Sequence, residues 1–291
     1  MTPSDKLAAL EARRRFAEEV LRPDAEIGLA RAALLVAAEE EPRRCDVDGS
    51  LRLLEELGAE ARARVGRAAA DPVEAGARGP VEALNQYLFG ELGFRGNEAD
   101  YYDPRNSLLH RVLERRTGIP ITLSVVYMEV GRRAGLEVEG VGLPGHFVVR
   151  AAPPGGEPTL VDPFNAKATD EDECQQRLDL IYGGQVSLGP EHLRAAGVRD
   201  ILARVLGNLK AVYVQAQLFR RALAAVERIL LLAPNDLEER RDRGMLLAQL
   251  DRLNEAVADT QSYLNLRPDA PDAEAVREQL KKMRVRLSML N

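Results

Sequence analysis

The feature that most constrains this chain is a repeat. Ala222 and Pro234 stand twelve residues apart and recur, 34 residues further on, as Ala256 and Pro268. A small residue inside an apolar helical stripe lets a second helix approach closely, and a proline cannot continue the helix it follows. The period therefore predicts stacked antiparallel helix pairs, each burying a face only against its neighbours. Tyr213 takes the large position of the first unit and Gly244 the small position of the second, while Lys210 stands where a small residue is expected. Two units and a terminal helix over residues 273–287 are visible after Val198. So short an array must borrow stability from what precedes it or cap itself.

The preceding sequence has a different texture. From Ser4 to about Ala68 the pattern is helical, with Leu7, Leu10, Phe16, Val20 and Leu21 near i, i+3, i+4 spacing, an apolar run at residues 27–38 and a helix over residues 50–68. The Ala-, Gly- and Pro-rich stretch Ala69–Pro80 predicts a loop or a local boundary. Between Gly118 and Ala166 a helix over residues 120–134 gives way to short β-type runs at 138–141, 146–150 and 159–161. Pro153-Pro154-Gly155-Gly156 reads as a hairpin loop, which makes the runs carrying His146 and Asp162 antiparallel neighbours and brings those side chains together. The expected organisation is an N-terminal helical segment over 1–78, an α+β core over 79–194 and helical repeats over 195–291.

Composition bounds the function. Among 291 residues, 45% are hydrophobic, enough for real cores, while 4% aromatic content with no Trp and abundant Ala, Leu, Arg and Glu indicate a mostly helical protein. A net charge of −6 with both signs interspersed makes nucleic acid an unexpected partner. The N-terminus runs straight into a charged helical pattern with no apolar stretch of signal or membrane length, so a cytoplasmic location and no membrane partner are expected. Cys45 and Cys174 are far apart and in no metal-ligand spacing, so two reduced thiols, no zinc site and no cofactor are expected.

The chemistry-bearing residues lie in the α+β part. Gly118-Ile119-Pro120-Ile121-Thr122-Leu123-Ser124, followed by Gly131-Arg132-Arg133-Ala134-Gly135-Leu136, resembles the transglutaminase-like core, in which G-x-C opens a helix. Leu143-Pro144-Gly145-His146-Phe147 resembles its histidine strand and Leu160-Val161-Asp162-Pro163-Phe164 its aspartate strand. Upstream, Tyr87–Asn97 and Tyr101-Tyr102-Asp103-Pro104-Arg105-Asn106-Ser107-Leu108-Leu109 resemble the SirB-type bacterial signature. The resemblance implies a papain-like α+β fold with a small antiparallel sheet, followed by tetratricopeptide repeats. It also implies that the nucleophile position is Pro120, leaving His146 and Asp162 as two thirds of a triad, with the aspartate accepting Nδ1–H of the histidine. Proline suits a first helical turn, where its missing N–H is not needed, but it cannot attack a substrate.

His146 and Asp162 also have a plain structural use, as a hydrogen-bonded pair tying two strands together. Ser124 lies one turn past Pro120 on the same face and is the replacement nucleophile to consider, given a base and an oxyanion site. Cys174, beside Asp172 and Glu173, reads as a half-buried helical cysteine whose neighbours raise its pKa. Asn106-Ser107 reads as a helix N-cap ahead of the stripe Leu108, Leu109, Val112, Leu113. His110 and His192 have no metal-ligand company. Gly140, Gly142 and Gly145 fit either a lined cleft or a simple strand corner. The leading expectation is a catalytically degenerate regulator or scaffold that binds a protein or peptide in the relic cleft and the repeat groove. The alternative is a hydrolase or acyl transferase using Ser124 with His146 and Asp162.

Overall fold

The computed structural model describes residues 2–70 and 79–289. The loop expected at Ala69–Pro80, with its domain edge at residue 78, falls largely on residues 71–78 and lies outside the described residues. The chain forms two compact units, Met1–Ile201 and Leu202–Asn291.

In the first unit, α1 (Pro3–Val20) starts at a reciprocal cap: Thr2 Oγ1 accepts the Asp5 amide, and the Asp5 carboxylate accepts the Thr2 amide. Helix α2 (Leu29–Glu40) is apolar almost all round and is accordingly buried from Leu29 to Ala38 except at Arg31. Helix α3 (Val47–Ala70) is amphipathic, and α4 (Gly79–Asn85) runs on into a π-helical turn over Gln86–Glu91. After α5 (Leu109–Arg115) comes α6 (Pro120–Arg133), buried at every residue from Pro120 to Gly131. Helices α2, α3 and α5 and strands β3 and β4 all pack against α6. This helix is the axle of the unit.

The sheet consists of β3 (Glu137–Leu143), β4 (His146–Ala152), β5 (Thr159–Asp162) and β6 (Lys167–Thr169), antiparallel throughout and in sequential order. A separate two-residue parallel pair joins β1 (Arg95–Gly96) to β2 (Thr117–Gly118). The turn from α6 into β3 uses Gly135 at φ +93°, and the Leu136 amide reaches back to the Gly131 carbonyl at 3.0 Å. That left-handed closing residue is what a helix C-terminus commonly requires. Strands β3 and β4 run past the expected bounds, and β6 carried no sequence signal: three residues with a lysine and two small or β-branched side chains are too few to show a period. After β6, α7 (Glu171–Tyr182) is capped by Asp170, whose carboxylate accepts the Glu173 amide at 2.8 Å.

Helix α8 (Val198–Gln215) runs into the second unit, which continues with α9 (Phe219–Leu232), α10 (Leu237–Gln249), α11 (Leu253–Leu266) and α12 (Ala273–Ser288). The repeat expectation holds in detail. Ala222 and Ala256 are fully buried, and Pro234 and Pro268 each follow the end of a helix by two residues. A Cβ on Gly244 would stand 2.6 Å from Thr260 Oγ1 and 3.2 Å from the Ala256 carbonyl oxygen, so glycine is what allows α10 and α11 to meet. Lys210, at the equivalent place of the first unit, sends its Nζ to Glu239 at 2.5 Å and Asp242 at 2.9 Å. Burial lowers its pKa, but the two carboxylates outweigh that and hold it above the ordinary lysine value. Helix α12 closes the array by burying Ala273, Val276, Leu280 and Met283 along one stripe.

Candidate functional site

The start of α6 is built around Pro120 at its first position, with Ile119 as the N-cap residue. Isoleucine offers no side-chain oxygen, so the cap is made in the reverse direction. Thr122, three residues in, accepts the Ile119 amide on its Oγ1 at 3.2 Å and donates to the Asn106 carbonyl at 2.6 Å. The proline is buried, and the orphan donors of the turn are partly met from within.

Val149 pairs with Val161, which puts His146 and Asp162 on one sheet face as diagonal neighbours. Their side chains meet, His146 Nε2 lying 2.8 Å from Asp162 Oδ2, with only 3% and 4% of the two residues exposed. The pairing corrects the implied use of Nδ1: the carboxylate engages Nε2. Since an ionised carboxylate only accepts, Nε2 is the protonated nitrogen.

Asp162 is held by more than the histidine. Its Oδ1 accepts the Phe164 amide at 3.0 Å and the Asn165 amide at 3.2 Å, and its Oδ2 also accepts Asn165 Nδ2 at 2.7 Å. Arg177 of α7 stands 3.8 Å from the same oxygen. Burial raises the carboxyl pKa, yet the hydrogen bonds from His146 and Asn165 more than offset it and hold Asp162 below the usual carboxylate range. The roles of Asn165 and Phe164 were missed from the sequence. The signal was present in Asp162-Pro163-Phe164-Asn165, since an aspartate commonly closes an Asx turn on the amides two and three residues ahead.

The pair is covered. The Phe164 ring meets His146 edge-on at 6.4 Å between centroids, and Tyr101 meets Phe164 edge-on at 6.1 Å. A Cβ on Gly96 would stand 2.6 Å from the Phe164 ring, and the Gly96 amide donates to the Phe164 carbonyl at 3.0 Å, so the aromatic cover rests directly on β1. Beside it lies an open cleft of about 530 Å³ bounded by Arg95, Asn97, Glu98, Thr117, Phe164 and Asn165. Neither His146 nor Asp162 lines it. Ser124 is fully buried, and its Oγ has no hydrogen-bond partner among the described residues. The hydroxyl-to-imidazole contact that a Ser124 nucleophile would use is therefore not made.

The segment before α5 corrects another expectation. Asn106 and Ser107 are not a helix N-cap; Asp103 caps a 3-10 turn over Pro104–Ser107, and Leu108 precedes α5. Asn106 is instead a fully buried hub. Its Nδ2 donates to the Asp100 carbonyl at 2.7 Å and the Tyr101 carbonyl at 3.1 Å, and its Oδ1 accepts Asn97 Nδ2 at 3.0 Å and Arg115 Nη1 at 3.3 Å. Because its own carbonyl accepts Thr122, this residue ties the segment carrying Tyr101 to the start of α6.

Cys174 is buried rather than half-buried, packed with Val141, Leu143 and Val148, and burial pushes its thiol pKa up. Cys45 is buried as well, and desolvation pushes it up to about 12. Neither thiol has the electropositive surroundings of a reactive one. Intact protein is expected to resist iodoacetamide at pH 8 and to gain two adducts in denaturant; rapid single labelling of the folded chain, read by mass, would contradict this. His110 Nε2 lies 3.0 Å from Glu41, and His192 Nδ1 accepts the Gly189 amide at 2.9 Å. Among the described residues no group of His, Cys, Asp and Glu could hold a metal ion, and no helix is long and apolar enough to cross a membrane.

Comparison with known proteins agrees with this fold. The family described as "Transglutaminase-like superfamily" matches residues 50–207, and a tetratricopeptide repeat family matches residues 209–281. A UPF0162 protein of Xylella fastidiosa is 38% identical over 263 residues, covering 88% of this chain and 90% of the relative. UPF0162 protein YchA of Escherichia coli is 30% identical over 204 residues, covering 69% and 74%. F-box only protein 21 of Mus musculus is 36% identical over 134 residues, which is 44% of this chain and 21% of that protein. No solved structure matches the chain. A buried His–Asp pair on two antiparallel strands behind a buried helix and a following 34-residue helical repeat belong together: this chain is a member of the transglutaminase-like superfamily with C-terminal tetratricopeptide repeats, of the UPF0162 type.

Proposed function

We propose that this protein is a catalytically silent transglutaminase-like protein that works by binding other proteins or peptides, as a scaffold or regulator. The observation that carries the reading is the state of the relic site. Pro120 supplies no nucleophile, and His146, 3% exposed, is spent on Asp162 beneath Phe164. A base that no substrate atom can reach does no proton transfer. The SirB-type resemblance of residues 87–109 belongs to the same reading, as does a cytoplasmic location.

Two surfaces are suited to partners. One is the open cleft beside Phe164, lined by the exposed Arg95. Exposed tyrosine and arginine are the residue types that most often anchor protein contacts. The other is the face shared by α8, α10 and α12. There an apolar cleft of about 510 Å³ holds Val214 and Met245, and an adjoining one holds Met245 and Met283. The half-buried, unbranched Met245 side chain can adapt to varied partners.

The competing reading is a Ser124-dependent hydrolase, favoured by one observation, the unpaired buried hydroxyl. Purified protein treated with serine- and cysteine-directed electrophiles separates the two. No adduct is expected by intact mass. Labelling abolished by both Ser124→Ala and His146→Ala would overturn the silent reading and assign the chemistry to Ser124.

A further inference from the structure

The molecule as a whole is acidic, with a net charge of −6, but its last helix is not. Helix α12 carries five cations against two carboxylates. Arg277, Lys281 and Arg284 fall at i, i+4 and i+7, on one face, over roughly 10 Å of helix axis. That face and α11 enclose a groove of about 620 Å³. Its floor and wall are Leu264 and Leu280, both buried, with Val285, which is 47% exposed. The polar residues that α11 contributes are Gln261 and Asn265, both neutral. Among the described residues no carboxylate lines the groove. Arg284 donates to Gln261 rather than to an acid, and Arg277 pairs with Glu274, whose side chain is 81% exposed and off the lining.

We infer that this groove is a docking site for an acidic amphipathic helix of a partner protein, a surface distinct from the Met245 face. The charges choose the partner's sign, and the buried leucines require an apolar side chain between its carboxylates. A helix with Asp or Glu at i, i+3 or i+4, and i+7 meets Arg277, Lys281 and Arg284 in register. Nucleic acid fits less well: α11 and α12 present no exposed aromatic ring for bases to stack on, and the chain's net charge repels a polyanion at long range. This inference deepens the protein-binding reading and rests on it.

The test is a selection of random 16-residue displayed peptides on the full-length protein. Enriched peptides are then measured on wild type, on the groove variant Lys281→Glu/Arg284→Glu, and on the Met245→Glu variant of the other face, with thermal melts confirming folding. Acidic peptides with regularly spaced Leu, Ile or Phe are expected to dominate. They should weaken at least tenfold on Lys281→Glu/Arg284→Glu and with rising salt, and be unaffected by Met245→Glu. Enriched peptides that are not acidic, or that ignore the groove substitutions while losing binding to Met245→Glu, would overturn the groove and leave the protein-binding reading intact. Absence of any enriched peptide would overturn both. Groove-dependent binding of a single-stranded oligonucleotide or anionic vesicles, in place of peptide, would overturn the choice of partner.

Discussion

Replacing Asp162 by alanine should destabilise the first unit by about 3–5 kcal/mol, the usual cost of removing one partner from a buried charged network. The substitution removes the carboxylate acceptor of three donors: His146 Nε2 and the amides of Phe164 and Asn165. Asn165 Nδ2 loses its acceptor as well. For a unit of this size each kcal/mol moves the melting temperature by roughly 2–4 °C, so the fall should be on the order of 10 °C. Asp162→Asn should lie between, because one amide oxygen can still accept the two backbone donors while its NH₂ opposes His146.

The effect has a predictable pH dependence. Asp162 titrates below the usual carboxylate range in the folded chain, so folding is linked to its ionised form. The stabilisation is fully present above the unfolded value, about 4, and is lost as pH falls through the depressed folded value. The gap between wild type and Asp162→Ala should therefore be constant from pH 7 to about 5 and narrow below pH 4. Thermal melts over that range decide it. A gap under 2 °C at pH 7, or one that does not shrink in acid, would show that the pair ties nothing together.

How much of this could be read from the sequence follows from how local each signal is. The repeat was legible because Ala222, Pro234, Ala256 and Pro268 act through sequence-local helix geometry at a fixed period. The meeting of His146 and Asp162 was legible because one hairpin with a Pro-Gly loop fixes which residues share a face. The choice of Nε2 over Nδ1 depends on a side-chain rotation that no spacing encodes. The burial of the pair beneath Phe164 depends on Gly96, some fifty residues before the histidine, admitting the ring against its backbone. Asn106 misled for a related reason: asparagine before an apolar stripe looks like a cap, and only the fold brings Asn97, Asp100, Tyr101 and Arg115 around it. The basic face of α12 was hidden by averaging, since five cations in one helix vanish into a chain where both signs alternate.

Asn106→Ala should cost about 2–4 kcal/mol, since the side chain has no exposure and each buried group left unpaired costs about 1–3 kcal/mol. Two main-chain carbonyls, of Asp100 and Tyr101, lose their donor, and Asn97 Nδ2 and Arg115 lose an acceptor. The loss should be felt locally before it is felt globally: amides over residues 97–107 should exchange at least tenfold faster, while those of β3 and β4 keep their protection. Asn106→Asp separates hydrogen bonding from bulk. It fills the same space and can still accept from Asn97 and Arg115, but it points carboxylate oxygens at two carbonyls, so it should be as damaging as alanine or more so. Hydrogen exchange by mass spectrometry, with thermal melts alongside, reads both variants. If Asn106→Asp were near wild type, the two carbonyl contacts would not be holding the segment, and Tyr101 over Phe164 would have to be fixed by ring packing alone.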